Sequence, residues 1–419
     1  MFKIIHAHFS LLIATAILLL GSGLLGTLVA LRAGAESFSQ EIIGLIMSGF
    51  FMGYVLGSYL CPQIIRTVGH IRSFSVFAAM GSVTVILHGL IIDPVVWLIL
   101  RIITGICMLG MYLVIESWIN SAATQKSRSI LFSIYMTVNL LALGFSQYLL
   151  VIYPIDSIAP FAFIALFFSL ALVPISLTRI NQPAQVESGQ LGLTQLYATS
   201  PLSSFGAFLS GILTGAFWGM GPLYALSTGF DVAGITMFMS GVVFGGSLLQ
   251  WPLGHLSDYY DRRLVIAAVS IAASIAAITV FYTIESFQWI GLIAAFVFGG
   301  CFFSIYSLSM AHANDNAEPT NALEISRGLL LLNGIGASIG PITAGLLMGW
   351  FGAQVLMFYF AFVTFLLASL ALLRHRIGTP IPLSDQGDFV VMARSSSEML
   401  ELDPRTEIAE DINSSSINP

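Results

Sequence analysis

Twelve long apolar stretches follow one another along the chain, separated mostly by short polar breaks. They cover residues 8–32, 40–63, 72–92, 94–118, 128–151 and 157–178, then 203–228, 232–255, 264–284, 287–311, 322–350 and 352–374. A helix needs roughly 20 apolar residues to cross the hydrocarbon core, so each stretch predicts one membrane-spanning helix. The first, after "MFKIIHAHFS", is too long for the apolar region of a cleaved signal peptide, and no A-x-A site follows it, so it also reads as a span. The longest internal break, 179–202 ("RINQPAQVESGQLGLTQLYATSPL"), predicts a linker between two six-helix bundles, residues 1–178 and 203–374. Residues 375–419 are rich in Ser, Asp and Glu and poor in aromatics, which predicts a disordered acidic tail.

Composition strengthens this reading. Of 419 residues, 57% are hydrophobic and only 9% charged, and the mean hydropathy is +0.91. A soluble domain carries about 25% charged residues, so this chain cannot cover a water-facing surface. Cys61, Cys107 and Cys301 lie in or beside apolar stretches without metal-ligand or disulfide spacing, and read as small buried hydrophobes.

Charge sets the expected orientation. With the N-terminus inside, Lys3, Arg66, Arg72, Lys126, Arg128, Arg179, Arg262, Arg263, Arg327, Arg374, Arg376, Arg394 and Arg405 all fall on one side. Only Arg32 falls opposite, and Arg101 lies within a span. The positive-inside rule makes the basic side cytoplasmic, with both termini there. Most of the opposite loops carry acids, such as Asp93, Asp156, Asp231 and Glu285.

The two halves repeat at an offset of about 192 to 194 residues. Gly53 falls on Gly245, "PQIIRTVGHIR" (62–72) on "GHLSDYYDRRL" (254–264), and Asn139 on Asn333. Duplicated six-helix units are a transporter architecture, with the solute path between the halves. "GHLSDYYDRR" resembles the G-x-L-x-D-x-x-G-R-R signature of the major facilitator superfamily (MFS), departing from it at Asp261. "RIITG" (101–105) resembles its span-4 R-x-x-x-G pattern, while "VIES" (114–117), "QWPLG" (250–254) and "LLLLNGIGASIGP" (329–341) are similar to the YcaD-like branch. The resemblance covers about residues 5–375. It implies an all-α membrane protein of twelve transmembrane helices in two pseudo-symmetric bundles, with a cavity facing helices 1, 4, 7 and 10. The implied function is secondary active transport of a small organic solute by alternating access, coupled to protons. No cofactor beyond a proton gradient is implied, nor any nucleic acid. The expected setting is a monomer, multi-pass in the lipid bilayer of a cell inner (plasma) membrane.

Several polar residues inside spans are candidates for solute or coupling contacts. Arg101 stands about seven residues from the outer end of its span, roughly 10 Å deep. A charge at that depth faces a cavity or a partner, or snorkels to the headgroups. Glu116 lies fifteen residues further on the same face, roughly 22 Å away, so the two cannot pair. It is either a proton site or an interfacial acid paired with Lys126 or Arg128. Asn139 and Asn333 are either interhelical hydrogen-bonding glue or solute contacts. Gln147, Trp218, Tyr224 and Tyr306 are further candidates, with span 7 and span 10 expected on the cavity. His88 reads as structural. "GIGASIGPITAG" (334–345) places small residues where helices approach closely, with Pro341 expected to kink the span.

A cytoplasmic gate is expected where the two signature loops lie, a conformation-dependent latch closed when the cavity faces outward. Gly254 and Asp258 end span 8, Arg262 and Arg263 follow, and the resemblance puts Asp258 against the start of span 5, near Lys126 and Arg128. The other half swaps the charge: Arg66, beside Gly69, is expected to meet Asp315, Glu318 and Glu324. No Walker A, H-E-x-x-H or nucleophile elbow occurs, which argues against an ATPase or hydrolase. The alternative is a non-transporting protein of the same fold, a sensor or scaffold acting through its tail.

Overall fold

A computed structural model describes residues 2–122, 128–177, 196, 200–317, 321–377, 382–383, 386–392 and 395–400. Twelve long helices occupy the twelve predicted stretches. The first bundle holds α1 (Phe2–Ala35), α2 (Gln40–Val68), α3 (His70–Leu90), α4 (Pro94–Ala122), α5 (Arg128–Ser146) and α6 (Ala159–Ser176). The second holds α7 (Pro201–Ser227), α8 (Val232–Leu256), α9 (Arg262–Thr283), α10 (Gln288–Asp315), α11 (Ala322–Phe351) and α12 (Val355–Ile377). A 3-10 turn, Gln147–Val151, extends α5, and a short helix α13 (Ser397–Leu400) closes the described chain. All twelve long helices are apolar enough to cross a membrane. No strand occurs among the described residues.

Hydrogen-bonding caps set several helix starts. Asp93 accepts from the amides of Val95 and Val96 before Pro94 opens α4, Asp231 accepts from Gly234 at the start of α8, and Asp261 from Arg263 at α9. Each satisfies otherwise orphaned donors of a first turn. Two of the acids expected in loops, Asp93 and Asp231, are therefore helix caps.

The sequence repeat is visible in the packing. In the first bundle α2 packs on α4, α1 on α5 and α3 on α6; in the second α8 packs on α10, α7 on α11 and α9 on α12. A methyl group added at Gly53 would overlap the Ile102 carbonyl, and one at Gly105 the Phe50 carbonyl. At the related positions, Gly245 faces the Phe296 carbonyl and Gly299 the Val242 carbonyl in the same way. These small residues bring backbones together where no hydrophobic drive exists between lipid-immersed helices. Pro341 adds a variation: lacking an amide, it leaves the Ala337 carbonyl without its intrahelical donor. Gly215 of α7 presses against that carbonyl. The outward faces carry Val95, Ile275, Leu166 and Phe362, all more than half exposed. In water such a surface would be an association hazard, and in a bilayer it is the solvent-matched face.

The halves meet at the end remote from the basic loops. There α2 packs on α11, with Gly44 against the Pro341 carbonyl and Gly345 against the Gln40 carbonyl. Beside this contact α5 meets α8: Thr236 donates to the Gln147 carbonyl (3.2 Å), and Phe145 stacks edge-on against Phe244 (5.4 Å). The basic end, carrying Arg66, Gly69 and His70, borders a large internal cavity.

The linker lies mostly outside the described residues, and the expectation for the tail needs correction. Of the linker, Leu196 is described, helical and buried against Gly328 in a cluster with Tyr306 and Met310; its other residues up to 199 lie outside the described residues, and α7 starts at Pro201. The tail is not a free disordered chain throughout. Residues 386–392 and 395–400 pack into the mouth of the cavity, burying Met392, Ser395, Ser396, Glu398 and Leu400. The remainder of 378–419, apart from 382–383, lies outside the described residues.

Candidate functional site

The space between the bundles is a cavity of about 850 Å³. Its walls come from α1, α4, α7 and α10 as expected, and also from α2, α5, α8 and α11. Of the four remaining long helices, only His70 at the start of α3 reaches it. Aromatic rings line much of it: Phe50 beside Arg101 in the deep part, Tyr54 and Tyr112 further toward the mouth, and Trp218 and Phe303 from the second bundle.

Arg101 lies on this deep wall and is 3% exposed. Its guanidinium carbon sits 4.8 Å from the centroid of the Phe50 ring, a cation–π contact. The side chain therefore points into the cavity instead of snorkelling to headgroups. Its Nε has no hydrogen-bond partner, and no ion pair involving Arg101 occurs among the described residues.

Glu116, four helical turns along α4, is fully buried behind the lining near the cavity mouth. Tyr135 of α5 donates to one carboxyl oxygen and Ser396 of the tail donates to the other. It is thus held by two hydroxyls and is not an exposed interfacial acid. Its expected basic partners cannot be placed: Lys126 and the side chain of Arg128 lie outside the described residues. Asn139, one turn after Tyr135, lines the cavity and donates to the Tyr135 carbonyl (2.9 Å). Its repeat mate Asn333 also lines the cavity, but its amide crosses to the Ala207 carbonyl of α7 (3.0 Å). Both asparagines combine a structural hydrogen bond with a cavity position, so neither open reading excludes the other.

Trp218 is on the wall as expected. Three other candidates are not. Gln147 is buried between α5 and α1, accepting from Thr27 (2.6 Å) and donating to the Gly23 carbonyl (3.1 Å), so it joins helices. Tyr224 packs on Phe238 (5.7 Å) below the surface, and Tyr306 is buried in the Leu196 cluster. Helix number alone put both tyrosines on the cavity; their rotation about the helix axis puts them behind it. His88 is structural, its ring bonded to the Thr84 carbonyl (2.7 Å) and tilted on Trp97. The sequence reading missed Tyr135 and Ser396 as partners of Glu116. Neither carries a local signal, since both arrive from other parts of the chain.

The sequence profile of the Major Facilitator Superfamily matches residues 11–322 and 203–395. The chain belongs to the Major Facilitator Superfamily. Among the relatives of this MFS transporter is the uncharacterized MFS-type transporter YcaD of Shigella flexneri serotype 5b (strain 8401), 28% identical over 379 residues, which cover 89% of this chain and 97% of that one. An uncharacterized MFS-type transporter of Enterobacter sp. (strain 638) is 27% identical over 376 residues, with the same two coverages. These place it in the YcaD branch. Among solved structures, the nucleoside transporter NupG matches 89% of this chain and 100% of its own with a TM-score of 0.74 at 15% identity. A bacterial homolog of the human lysosomal transporter Spinster, inward-facing and occupied, matches 91% and 98% with a TM-score of 0.74 at 15% identity. Both likenesses concern the fold.

The signature loop of this MFS transporter staples one bundle. Arg262, 1% exposed, donates to Asp315 of α10 and to Ser257 (2.8 Å), and lies 3.5 Å from Asp258. Arg263 pairs with Asp261 (2.7 Å) and reaches the Arg374 carbonyl (3.3 Å), while His375 of α12 lies 3.2 Å from Asp261. Burial alone would raise the pKa of Asp261. The hydrogen bonds from the side chain and amide of Arg263, the Arg263 charge and the His375 contact outweigh it, and bring the value down to about 2. The second arginine of the signature is thus neutralised by the residue that departs from it. Of the swapped pairing expected for Arg66, Asp315 is taken by Arg262 in its own bundle. Arg66 is exposed at the mouth, and among the described residues no ion pair joins it to Asp315 or to half-buried Glu324, which opens α11. Glu318 lies outside the described residues. Gly69 makes the α2–α3 turn at φ 85°, a left-handed region that favours glycine. Gly254 faces the Phe389 ring of the tail, whose amide donates to Asp258 (2.9 Å).

Proposed function

We propose that this transporter moves a small organic solute by proton-coupled alternating access, with its basic end at the cytoplasmic face of a cell inner membrane. The observation that carries the reading is one cavity between two repeats whose halves pack together at one end, with buried Arg101 on its wall. A two-fold repeat that can close at either end is what alternating access requires. Glu116 supports the coupling, being a fully buried carboxyl on a cavity-lining helix and bonded to hydroxyls that a protonated or an ionised form can both use. The clustering of basic residues at the cavity mouth supports the orientation.

The direct test is reconstitution into liposomes holding a trapped pH-sensitive dye. Mixtures of small carboxylates, amines and neutral solutes are added under an imposed pH gradient. A carried solute should accumulate, shift the dye signal, and lose its accumulation when a protonophore collapses the gradient. Accumulation that a protonophore leaves untouched would remove proton coupling from the reading.

A further inference from the structure

The geometry points to a solute class: an amphipathic organic anion whose charged group meets Arg101 and whose apolar body lies against the aromatic rings of the cavity. This rests on the transporter reading and deepens it. A buried guanidinium is expensive in a membrane protein and is kept where something offsets the charge. Phe50 supplies part of that offset. No carboxylate supplies the rest among the described residues. Asp93, eight residues earlier, is committed to capping α4, and Glu116 lies roughly 22 Å further along the helix. The helix-borne charges on the cavity wall are Arg66, Arg101 and Arg327, all positive, and Glu398 of the tail is the acid that faces them. A low-dielectric cleft lined by one sign of charge concentrates counter-ions. Beyond Phe50, which touches Arg101, the same cavity carries Tyr54, Trp218 and Phe303, whose ring faces and edges suit an apolar or aromatic body.

Binding is measured on purified protein with no gradient, by intrinsic fluorescence and by thermal shift. The probes are benzoate, phenylacetate and phenyl phosphate, beside benzamide and benzylamine as neutral and cationic counterparts. The anions should bind saturably and the counterparts should not. Arg101→Gln should weaken anion binding roughly tenfold to a hundredfold, the range for losing a charge-assisted contact, with Arg101→Lys between the two. Equal binding of the counterparts, unchanged affinity in folded Arg101→Gln, or no saturable anion binding would each overturn the assignment. Failure of proton coupling alone would leave it standing, because this measurement uses no gradient.

A separate observation concerns the tail. We infer that residues 386–392 and 395–400 form a tethered plug that holds the cavity closed to its basic end. The segment makes contacts too numerous for a chain merely lying nearby. Arg262 donates to the Gly387 carbonyl, Gly387 donates to Asp315 (3.1 Å), and Phe389 to Asp258 (2.9 Å). Met392 donates to Ser307 (3.1 Å), and Ser396 to Glu116. Met392, Ser395, Ser396, Ser397 and Glu398 then stand among the cavity-lining residues themselves. The plug therefore grips the signature loop with its first half and covers the buried carboxyl with its second. A solute leaving toward the basic end has to displace it.

The readout is maleimide labelling of Ser117→Cys, a lining position, in a background where the three native cysteines are alanine. The full chain is compared with one ending after residue 385 and with a full-length Phe389→Asp variant. A plug resident more than about 90% of the time predicts labelling at least about tenfold faster in both variants. A synthetic 386–400 peptide should slow the shortened chain again. Equal labelling rates in the full and altered chains would overturn the inference, and so would a peptide without effect. Phe389→Asp keeps the question open to refutation if the shortened chain is recovered poorly.

Discussion

Glu116→Gln is expected to abolish accumulation driven by a pH gradient while leaving solute exchange across the membrane within about twofold of the parent. The substitution is nearly isosteric, and the fold around it should survive. Tyr135 can still donate to the remaining amide oxygen, and only the Ser396 hydroxyl loses its acceptor. What is lost is the ability to take and release a proton, which an amide lacks. Alternating access itself asks only that the repeats rock about the solute site, so exchange needs no proton. The accumulation ratio at steady state should fall to about one, and solute-dependent dye signals should vanish. Because Ser396 belongs to the tail, the same substitution is made in the chain ending after residue 385. Loss of coupling in both backgrounds assigns the effect to the carboxyl, whereas loss in the full chain alone assigns it to the plug. Glu116→Gln protein that still concentrates solute on a pH gradient would remove Glu116 from the coupling step.

The fold was legible because its signal is long-range and redundant. Twelve stretches of about twenty apolar residues leave helix as the element that can satisfy its backbone within a bilayer. The internal repeat then predicts six-helix units, and Gly53 with Gly245 mark equivalent backbone contacts in both. The site was legible only where burial of a charge betrays it. Arg101 and Glu116 stand out in any apolar span, whereas Tyr224 and Tyr306 lie on the expected helices yet turn away from the cavity. Successive helix positions point about 100° apart, so the face a side chain takes depends on rotation about the axis, and no composition records that. The gate arginines read as loop anchors, but the acids that hold them come from the adjacent cap and from the end of α10. The tail misled for a different reason. Averaged over 45 residues it is too polar to fold, but "DFVVM" (388–392) places Phe389 and Met392 where a preformed cavity supplies the apolar surface that the segment lacks.

Arg262→Met should be the most destabilising change outside the cavity. The arginine and Asp315 have side chains 1% and 3% exposed, and the arginine links α9, the α8–α9 turn, α10 and the tail. Removing one partner of a buried pair leaves an uncompensated charge and costs about 3–5 kcal/mol, whereas replacing both by apolar groups is often close to neutral. At 2–4 °C per kcal/mol for a unit the size of one bundle, the melting temperature in detergent should fall by roughly 6–20 °C. Asp315→Asn should produce a smaller drop, since the amide can still accept one hydrogen bond. The double variant Arg262→Met/Asp315→Leu should recover most of the loss, giving a coupling energy far from additive. Two single effects that simply sum in the double variant would show the pair to be independent, and a melting temperature unchanged in Arg262→Met would deny the arginine its stapling role. Comparison with the chain ending after residue 385 separates the Gly387 contact from the contacts inside the bundle. If the staple acts chiefly within the bundle, the drop should be nearly the same size there, because Asp315 and Ser257 remain while only the tail carbonyl is gone.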